Sequence, residues 1–250
     1  MNLTVDRLNF SYSQHKVLDN VSLSLEKGEC LSILGTNGVG KSTLLKCINR
    51  ILQKDSGTVC VMGEDICGLK DRILAQRIGY VPQQQSFPFC TVYDAVLMGR
   101  KPYIQWDITH KDVQIVYDIL KALSFENFAM RYMDELSGGE MQKVAIARAL
   151  AQQPDILMFD EPTSNLDLKN QVEVVDTIKE IAKEQNKSAI VTMHDLNLAL
   201  RFSDRFIMMK DGKIYLTGGR EIFTKENILD VYGLEVDIIN QNGKLCVLPR

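Results

Sequence analysis

The stretch that decides the fold runs from Cys30 to Ile51 and reads CLSILGTNGVGKSTLLKCINRI. Its first five residues form a short apolar run, which is typical of a strand buried on both faces. A glycine-rich segment of the form G-x-x-x-x-G-K-S follows, and a helix is predicted over Ser42 to Ile51. The stretch therefore predicts a strand, a phosphate-binding loop and a helix in direct succession.

This loop contains the residue types that phosphate binding requires. Its glycines allow successive backbone N–H groups to turn toward a phosphate, and the start of the helix adds partial positive charge. We expect Lys41 to bridge the terminal phosphates of a nucleotide and Ser42 to bind Mg²⁺. The other predicted contacts of the loop are Gly35, Thr36, Asn37, Gly38, Val39, Gly40 and Thr43. The alternative is a tight strand-to-helix turn in which Lys-Ser occurs by chance.

Composition excludes several other kinds of protein. A chain of 250 residues with 45% hydrophobic content can bury a large core, as one domain or two closely packed lobes. Lys and Arg number 29 against 32 Asp and Glu, a net charge of -3, so nothing favours a nucleic-acid partner. The longest apolar stretches are shorter than the roughly 18 residues that a membrane span needs. We expect a cytoplasmic protein.

The six cysteines form no Cys-x-x-Cys pair and lie mostly within apolar runs. This pattern favours reduced, buried thiols over a disulfide or zinc framework. The histidines His15 and His110 lie on predicted loop or helix surface without a metal-ligand partner, so they receive no function.

Hydrophobic periodicity predicts the arrangement of the remaining chain. Alternation in Leu3 to Phe10 and in Val17 to Leu25 predicts an antiparallel layer, whereas Ile156 to Phe159 and Ser188 to Met193 resemble buried strands. An amphipathic helix between these two buried strands completes the pattern of an α/β core. The pairs Asp211-Gly212 and Asn242-Gly243 are hairpin turn signals.

Acidic residues follow one of the buried strands, and a histidine follows the other. Asp160 is the candidate Mg²⁺ ligand, and Glu161 is the candidate general base for an attacking water. A parallel sheet would bring His194 to the same edge, near the terminal phosphate. The alternative for Asp160-Glu161 is a polar cap of the next helix, and a lone histidine is otherwise usually a satisfied turn residue.

A second glycine-containing segment, Leu136-Ser137-Gly138-Gly139-Glu140, precedes a predicted helix. It can be a capping box in which Ser137 caps the helix and Glu140 reaches back to it. A capping box does not explain two glycines, each of which costs about 1 kcal/mol in a helix relative to alanine. Gly138 and Gly139 therefore indicate that something approaches this backbone closely, and a phosphate meets that requirement.

This segment resembles the signature of the ATP-binding cassette (ABC) family, usually written LSGGQ, with Glu140 at its last position. Further residues resemble the family's motifs in the expected order: Tyr12 the aromatic that stacks on adenine, Gln83 the Q-loop glutamine, Ser164-Asn165-Leu166-Asp167 the D-loop and His194 the switch histidine. In the D-loop, Asn165 replaces a more usual small residue. The resemblance covers residues 1 to 220.

The resemblance implies an α/β fold of the P-loop NTPase type, with a RecA-like core sheet, an N-terminal antiparallel β layer and an inserted helical subdomain. The whole chain, 1–250, is then one ABC ATPase domain. Its predicted parts are a catalytic core (1–82 and 154–223), a helical signature subdomain (83–153) and a small C-terminal extension (224–250).

The resemblance also implies a mechanism that uses ATP and Mg²⁺. Two copies would pair head to tail, each ATP lying between one phosphate loop and the partner's Ser137, Gly138, Gly139 and Glu140. The implied catalytic residues are Lys41, Gln83, Glu161 and His194, with Gln83 also at the metal beside Ser42 and Asp160. Asp167 is expected to border the same nucleotide.

The stretch from Thr91 to Trp106 resembles the V-x-D-x-V-x-x-G-R-x-P-Y segment of importers for iron complexes, cobalamin and haem, a branch that includes some molybdate and tungstate systems. The implied partners are a transmembrane permease and, indirectly, a substrate-binding protein, with the chain on the inner face of the membrane. The stretch could also be an ordinary amphipathic helix. A soluble ABC ATPase of an assembly or repair complex is the alternative function, and a nucleotide sensor without turnover is disfavoured by Glu161 and His194.

Overall fold

A computed structural model describes residues 1–164, 166–241 and 243–250. The strands follow the predicted alternation and the buried runs, and their bounds are β1 (Leu3–Tyr12), β2 (His15–Leu25), β3 (Cys30–Leu34), β4 (Ser56–Val61), β5 (Glu64–Asp65), β6 (Ile78–Val81), β7 (Ile156–Asp160), β8 (Ser188–Thr192), β9 (Arg205–Lys210), β10 (Lys213–Gly218), β11 (Val236–Gln241) and β12 (Lys244–Pro249). The helices are α1 (Lys41–Ile48), α2 (Asp71–Arg77), α3 (Val92–Leu97), α4 (His110–Ala122), α5 (Gly138–Ala151), α6 (Leu168–Glu184), α7 (Leu196–Phe202) and α8 (Lys225–Tyr232).

A six-stranded sheet in the order β10-β9-β3-β8-β7-β6 forms the centre of the protein. Its strands run parallel except for β10, which pairs antiparallel with β9 across the predicted Asp211-Gly212 turn. The register between β7 and β8 places Asp160 beside Thr192. Because parallel strands end at one edge, residues that follow β3, β7 and β8 meet there.

Alternate residues of β3 belong to two different cores, as the twofold period of a strand requires. Leu31 and Ile33 pack with α1 and with the antiparallel sheet, whose strand order is β2-β1-β4-β5. Cys30 and Leu34 pack on the opposite side with residues of α5, α6 and α7. The predicted α/β class with an N-terminal antiparallel layer is confirmed.

The middle of the chain forms α3, α4 and α5, which share a third core. A buried ion pair crosses this region: Arg100 Nε donates to Asp112 Oδ1 at 2.8 Å, and both residues are less than 5% exposed. Arg100 Nη1 also donates to the carbonyl oxygen of Ala151 at 2.7 Å. Arg100 therefore joins the start of α4 to the end of α5.

The C-terminal residues form α8 and a hairpin of β11 and β12. The predicted turn residue Asn242 lies outside the described residues. Asn197 of α7 exchanges two hydrogen bonds with the backbone of Val247, at 3.0 Å and 2.9 Å. The hairpin is thereby fixed to α7.

Two predictions need correction. The helix after the phosphate loop is α1, which begins one residue earlier than predicted and ends at Ile48, because the turn that follows redirects the chain at Asn49. Burial of the six free cysteines holds only for Cys30 and Cys47, whose thiol pKa values burial raises to about 11 and about 12. Cys67 is exposed, and the other three are half-buried because they lie on sheet faces and loops that are only partly covered.

Within the part of the chain that the structure describes, no helix is long and apolar enough to cross a membrane.

Replacing Asp112 with Asn should destabilise the protein by about 3 kcal/mol, because it leaves the buried Arg100 guanidinium without a counter-ion. The Thr109 hydroxyl and Arg100 lower the pKa of the Asp112 carboxyl, so its stabilising contribution is present above the unfolded-state pKa. The difference from the parent should therefore shrink as the pH falls below about 4 and through the lowered pKa. Urea unfolding at several pH values measures this difference.

The matched control is Asp118→Asn, which changes an exposed carboxylate on the same helix. It should alter the free energy of unfolding by less than about 0.5 kcal/mol. Equal effects of the two substitutions would show that the Arg100 pair does not stabilise the fold.

Candidate nucleotide-binding site

The phosphate loop connects β3 directly to α1, and two of its glycines are required by geometry. Gly35 has φ 146°, and a Cβ there would lie 2.6 Å from the carbonyl oxygen of Met209. Gly40, the residue before α1, has φ 106°, and its Cβ would lie 2.9 Å from Leu18. A side chain at either position would be strained and would collide with neighbouring strands.

The ammonium group of Lys41 is held inside this loop. Its Nζ donates to the carbonyl oxygens of Gly35 at 2.7 Å and Thr36 at 3.1 Å, and the residue is 4% exposed. Burial lowers the pKa of Lys41, while the nearby carboxylates of Glu161 and Asp160 act in the opposite direction. The loop therefore holds the Lys41 amine among carbonyl oxygens, with Glu161 Oε1 at the longer distance of 3.9 Å from Nζ.

Asp160, at the end of β7, is a buried acceptor that connects three parts of the fold. Its Oδ1 accepts hydrogen bonds from Ser42 Oγ and from Thr192 Oγ1, both at 2.8 Å. Its Oδ2 accepts from the Tyr80 hydroxyl at 3.3 Å. Burial, together with the charge of Asp160, raises the pKa of Tyr80. Tyr80 was not predicted as a site residue.

Glu161 brings two further predicted residues together. Its Oε2 accepts a hydrogen bond from Gln83 Nε2 at 2.8 Å and lies 3.7 Å from His194 Nδ1. The backbone of Glu161 has φ 46°, a sparsely populated conformation for a residue other than glycine, and its N–H donates to Thr192 Oγ1 at 2.9 Å. The carboxylate therefore turns away from the line of β7 toward the cavity beside the loop.

A cavity of about 520 Å³ adjoins these groups. The residues that line it are Tyr12, His15, Val17, Asn37, Gly38, Gly40, Lys41, Ser42, Thr43, Gln83 and Glu161. All of them were predicted as site residues from the sequence except His15 and Val17. Tyr12 is half exposed, and its ring packs edge-to-face on Phe10 with centroids 4.8 Å apart. Gly35, Thr36 and Val39 do not line the cavity, and the carbonyl oxygens of Gly35 and Thr36 instead accept hydrogen bonds from Lys41.

His15 was assigned to surface without a function, but it lies in β2 directly opposite Tyr12. This register brings its side chain to the mouth of the cavity. The hairpin pairing of the two predicted strands was the signal that could have found it, because cross-strand partners share one face.

The signature segment lies elsewhere on the surface. Ser137 caps α5 in a capping box: its Oγ accepts a hydrogen bond from the Glu140 N–H at 3.4 Å, and its own N–H donates to Glu140 Oε2 at 2.8 Å. Ser137 is exposed, and no atom among the described residues lies within 4 Å of a Cβ built on Gly138. A Cβ on Gly139 would lie 2.9 Å from the Asn170 side chain. One glycine thus packs closely against the Asn170 side chain of another helix, whereas the other faces open space.

Asp167, the last D-loop residue, caps α6 by accepting a hydrogen bond from the Asn170 N–H at 2.8 Å. The D-loop residue Asn165 lies outside the described residues. Asn170 therefore connects Asp167 with Gly139. Neither Asp167 nor the signature is among the described residues that line the cavity beside Lys41.

A phosphate loop between a buried strand and a helix, with Asp160 and Glu161 at the end of β7 on the same edge of the sheet, defines a P-loop nucleotide-hydrolysing enzyme. A family model for the ABC transporter matches residues 18–164. The chain belongs to the ABC transporter family, as its ATP-binding and ATP-hydrolysing subunit.

Relatives and solved structures agree with this assignment. An uncharacterised ABC transporter ATP-binding protein of Methanocaldococcus jannaschii is 53% identical over 100% of this chain and 98% of its own length. The "Probable siderophore transport system ATP-binding protein" of Bacillus subtilis is 34% identical over 94% of this chain and 87% of its own.

Among solved structures, one described as an inward-facing transporter of the metal-chelate type has a TM-score of 0.86 at 31% identity, covering 100% of this chain and 96% of that one. A dimeric ATP-binding cassette in a post-hydrolysis state with ADP and Pi has a TM-score of 0.78 at 31% identity, covering 87% and 98%. The predicted family, fold and ATPase activity are confirmed.

Replacing His15 with Ala should weaken ATP binding about three- to tenfold, because the imidazole borders the cavity opposite Tyr12 and contributes contact area at its mouth. Titration with a fluorescent ATP analogue measures the dissociation constant. His110→Ala is the matched control, since His110 is exposed on α4. Identical constants for the parent and His15→Ala would exclude His15 from the nucleotide site.

Proposed function

We propose that this chain is the ATP-hydrolysing motor subunit of an importer for metal complexes, of the class that includes iron-siderophore, haem and cobalamin, or for a related oxyanion. The support comes from the named siderophore relative, the metal-chelate type structure and the stretch from Thr91 to Trp106. Within that stretch, Gly99 and Arg100 are both buried against the end of α5, so the segment has a structural requirement as well.

One observation carries the proposal that two copies act together. The cavity beside Lys41 is open on one side, while the exposed Ser137 and the unobstructed Gly138 lie outside it in the same chain. A helix N-terminus with free backbone space is suited to a phosphate. A second copy, placed head to tail, would supply this segment to the nucleotide that the first copy holds. The dimeric ADP and Pi structure of a relative supports such an arrangement.

Each residue at the strand edge then has a role in hydrolysis. Lys41 would bind the β- and γ-phosphates, whose oxygen atoms would replace the two carbonyl oxygens as acceptors for its Nζ. Glu161 would accept a proton from the attacking water, and its hydrogen bond to Gln83 and its proximity to His194 would orient the carboxylate for this role. Tyr12 would stack on adenine, with Asp167 bordering the nucleotide from the other copy.

The oxygen atoms near Lys41 fit a magnesium ion. Mg²⁺ is usually held by one or two carboxylates together with substrate phosphates and water. Asp160 and Ser42 present adjacent oxygens, and Gln83 has an amide oxygen available because its nitrogen donates to Glu161. When bound, Mg²⁺ would neutralise charge on the phosphates. These residues would hold it.

A permease would dock on the helical part of the chain. A groove of about 580 Å³ separates α2 from the region of α5, and its walls include Arg72, Lys101 and Arg148. The ring of Tyr80 lines the same groove, while its hydroxyl contacts Asp160. A helix of the permease that occupied the groove would therefore alter the contact between Tyr80 and Asp160, the proposed metal ligand. Binding of this kind would place the chain on the inner face of the membrane.

Glu161→Gln should preserve ATP binding and reduce turnover by at least about a hundredfold, because the amide cannot accept the proton. The uncleaved ATP should then hold a dimer together. Phosphate release measures turnover, and light scattering coupled to size-exclusion chromatography measures the dimer. Glu180→Gln, an exposed change on α6, is the matched control and should behave as the parent.

Adding Ser137→Arg to Glu161→Gln tests the signature separately. Because the long cationic side chain would occupy the space around Ser137, the ATP-dependent dimer should be lost while ATP binding to the monomer remains. A dimer that survives both substitutions would exclude Ser137 from the shared site, and unchanged hydrolysis in Glu161→Gln would remove Glu161 from the base role.

The importer function predicts that a neighbouring gene encodes a permease, and co-purification of this chain with that permease tests the function. We expect a membrane complex whose ATP turnover rises severalfold when a substrate-binding protein loaded with a metal complex is added. Trp106→Ser, which removes a side chain that is 97% exposed in the helical region, should leave basal turnover unchanged and reduce the stimulation. Stable association with a soluble assembly or repair complex instead would contradict the importer function.

A further inference from the structure

A concave site unrelated to the nucleotide lies between α7 and the C-terminal hairpin. It is a surface depression of about 320 Å³, lined by Asn197, Leu200, Arg201, Arg220, Lys244 and Leu245, and its three cations are exposed to solvent. Three of these six side chains are cationic, and none of the lining residues is a carboxylate, although the whole chain has a net charge of -3. The local charge is therefore opposite to that of the protein as a whole.

The cations of this site are incompletely paired. Arg201 binds Asp176 through Nε and Nη2 at 2.7 Å and 2.5 Å, which leaves its Nη1 without a hydrogen-bond partner in the described ranges. Among the described residues, Arg220 donates only to the carbonyl oxygens of Gly243 and Leu200, each at 3.5 Å, the outer limit for a hydrogen bond. Among the described residues, no carboxylate oxygen lies within 4.0 Å of Arg220 or of Lys244. A guanidinium has five N–H donors, so Arg220 retains most of its binding capacity.

We propose that this site binds a small soluble oxyanion of the phosphate or polycarboxylate class. Arginine binds such groups through paired N–H···O contacts, and a second cation strengthens them. The volume is at the lower end of the range of about 300–1,000 Å³ for small-molecule sites. Leu200 and Leu245 provide an apolar wall for the ligand's carbon atoms.

The ligand would join three separate segments of the chain. Arg201 belongs to α7, Arg220 follows β10, and Lys244 begins β12. Because α7 starts two residues after His194, the oxyanion would fasten the C-terminal hairpin to the helix that follows this residue.

Isothermal titration with pyrophosphate and with citrate tests the site. The protein should carry Lys41→Ala and contain no Mg²⁺, so that the phosphate loop does not bind the probe. We expect saturable binding of at least one probe, weakened about fivefold or more by Arg220→Ala or Lys244→Ala and about tenfold or more by both. The same probe should raise the melting temperature of the Lys41→Ala protein. It should not raise that of the variant that carries Lys41→Ala, Arg220→Ala and Lys244→Ala together.

Two further variants distinguish a built site from general charge. Arg220→Lys keeps the cation and should retain part of the affinity, whereas Lys121→Ala removes an exposed cation on α4 and should change nothing. Absence of saturable binding to the folded Lys41→Ala protein would overturn the proposal. Equal losses with Lys121→Ala and Arg220→Ala would also overturn it. A melting curve of each variant without the probe shows that the variant is folded.

Discussion

The site depends on one buried carboxylate, that of Asp160, and on the parallel register that places it. Ser42 and Thr192 both donate to a single oxygen of this group, and they belong to the helix after β3 and to β8. The hydroxyl donors therefore connect the phosphate loop with the edge of the central sheet. A shift of β7 by one residue would turn the carboxylate to the other face of the sheet. Every residue of β3, β7 and β8 is buried, and the packing of these three strands prevents such a shift.

The two halves of the proposed shared site differ in their exposure to solvent. The residues that would handle phosphate and metal within one chain, such as Lys41 and Asp160, are almost inaccessible, so their geometry is set before a nucleotide arrives. Ser137 is exposed and already satisfied by Glu140, so it needs no partner in the monomer. A preorganised half and a solvated half fit a cycle in which ATP brings them together, because a ligand that binds one state better shifts the equilibrium toward that state.

Much of this arrangement follows from sequence because it depends on local rules. The β3, loop and α1 succession, the acids after β7 and the histidine after β8 need only periodicity and the way parallel strands end. Three features depend on tertiary contact instead. His15 reaches the cavity through hairpin register, Tyr80 reaches Asp160 across neighbouring strands, and Gly139 packs against Asn170 of another helix. Similarly, apolar neighbours in sequence do not reveal whether a sheet face is covered, which is why Cys60 and Cys246 are only half-buried.

Tyr80 shows how an event at the surface could reach the reaction without a large movement. Its ring forms part of the groove near α2, and its hydroxyl is 3.3 Å from the carboxylate that would hold the metal. A donor at that distance is near the limit of a good hydrogen bond, so a small displacement of the ring would either strengthen the contact or break it. Asp160 cannot compensate freely, since its other oxygen is held by two hydroxyl groups. A ligand in the groove that displaced the Tyr80 ring would therefore change the hydrogen bonding of Asp160, the residue that would hold Mg²⁺. Gln83, two residues beyond the same strand, contacts Glu161.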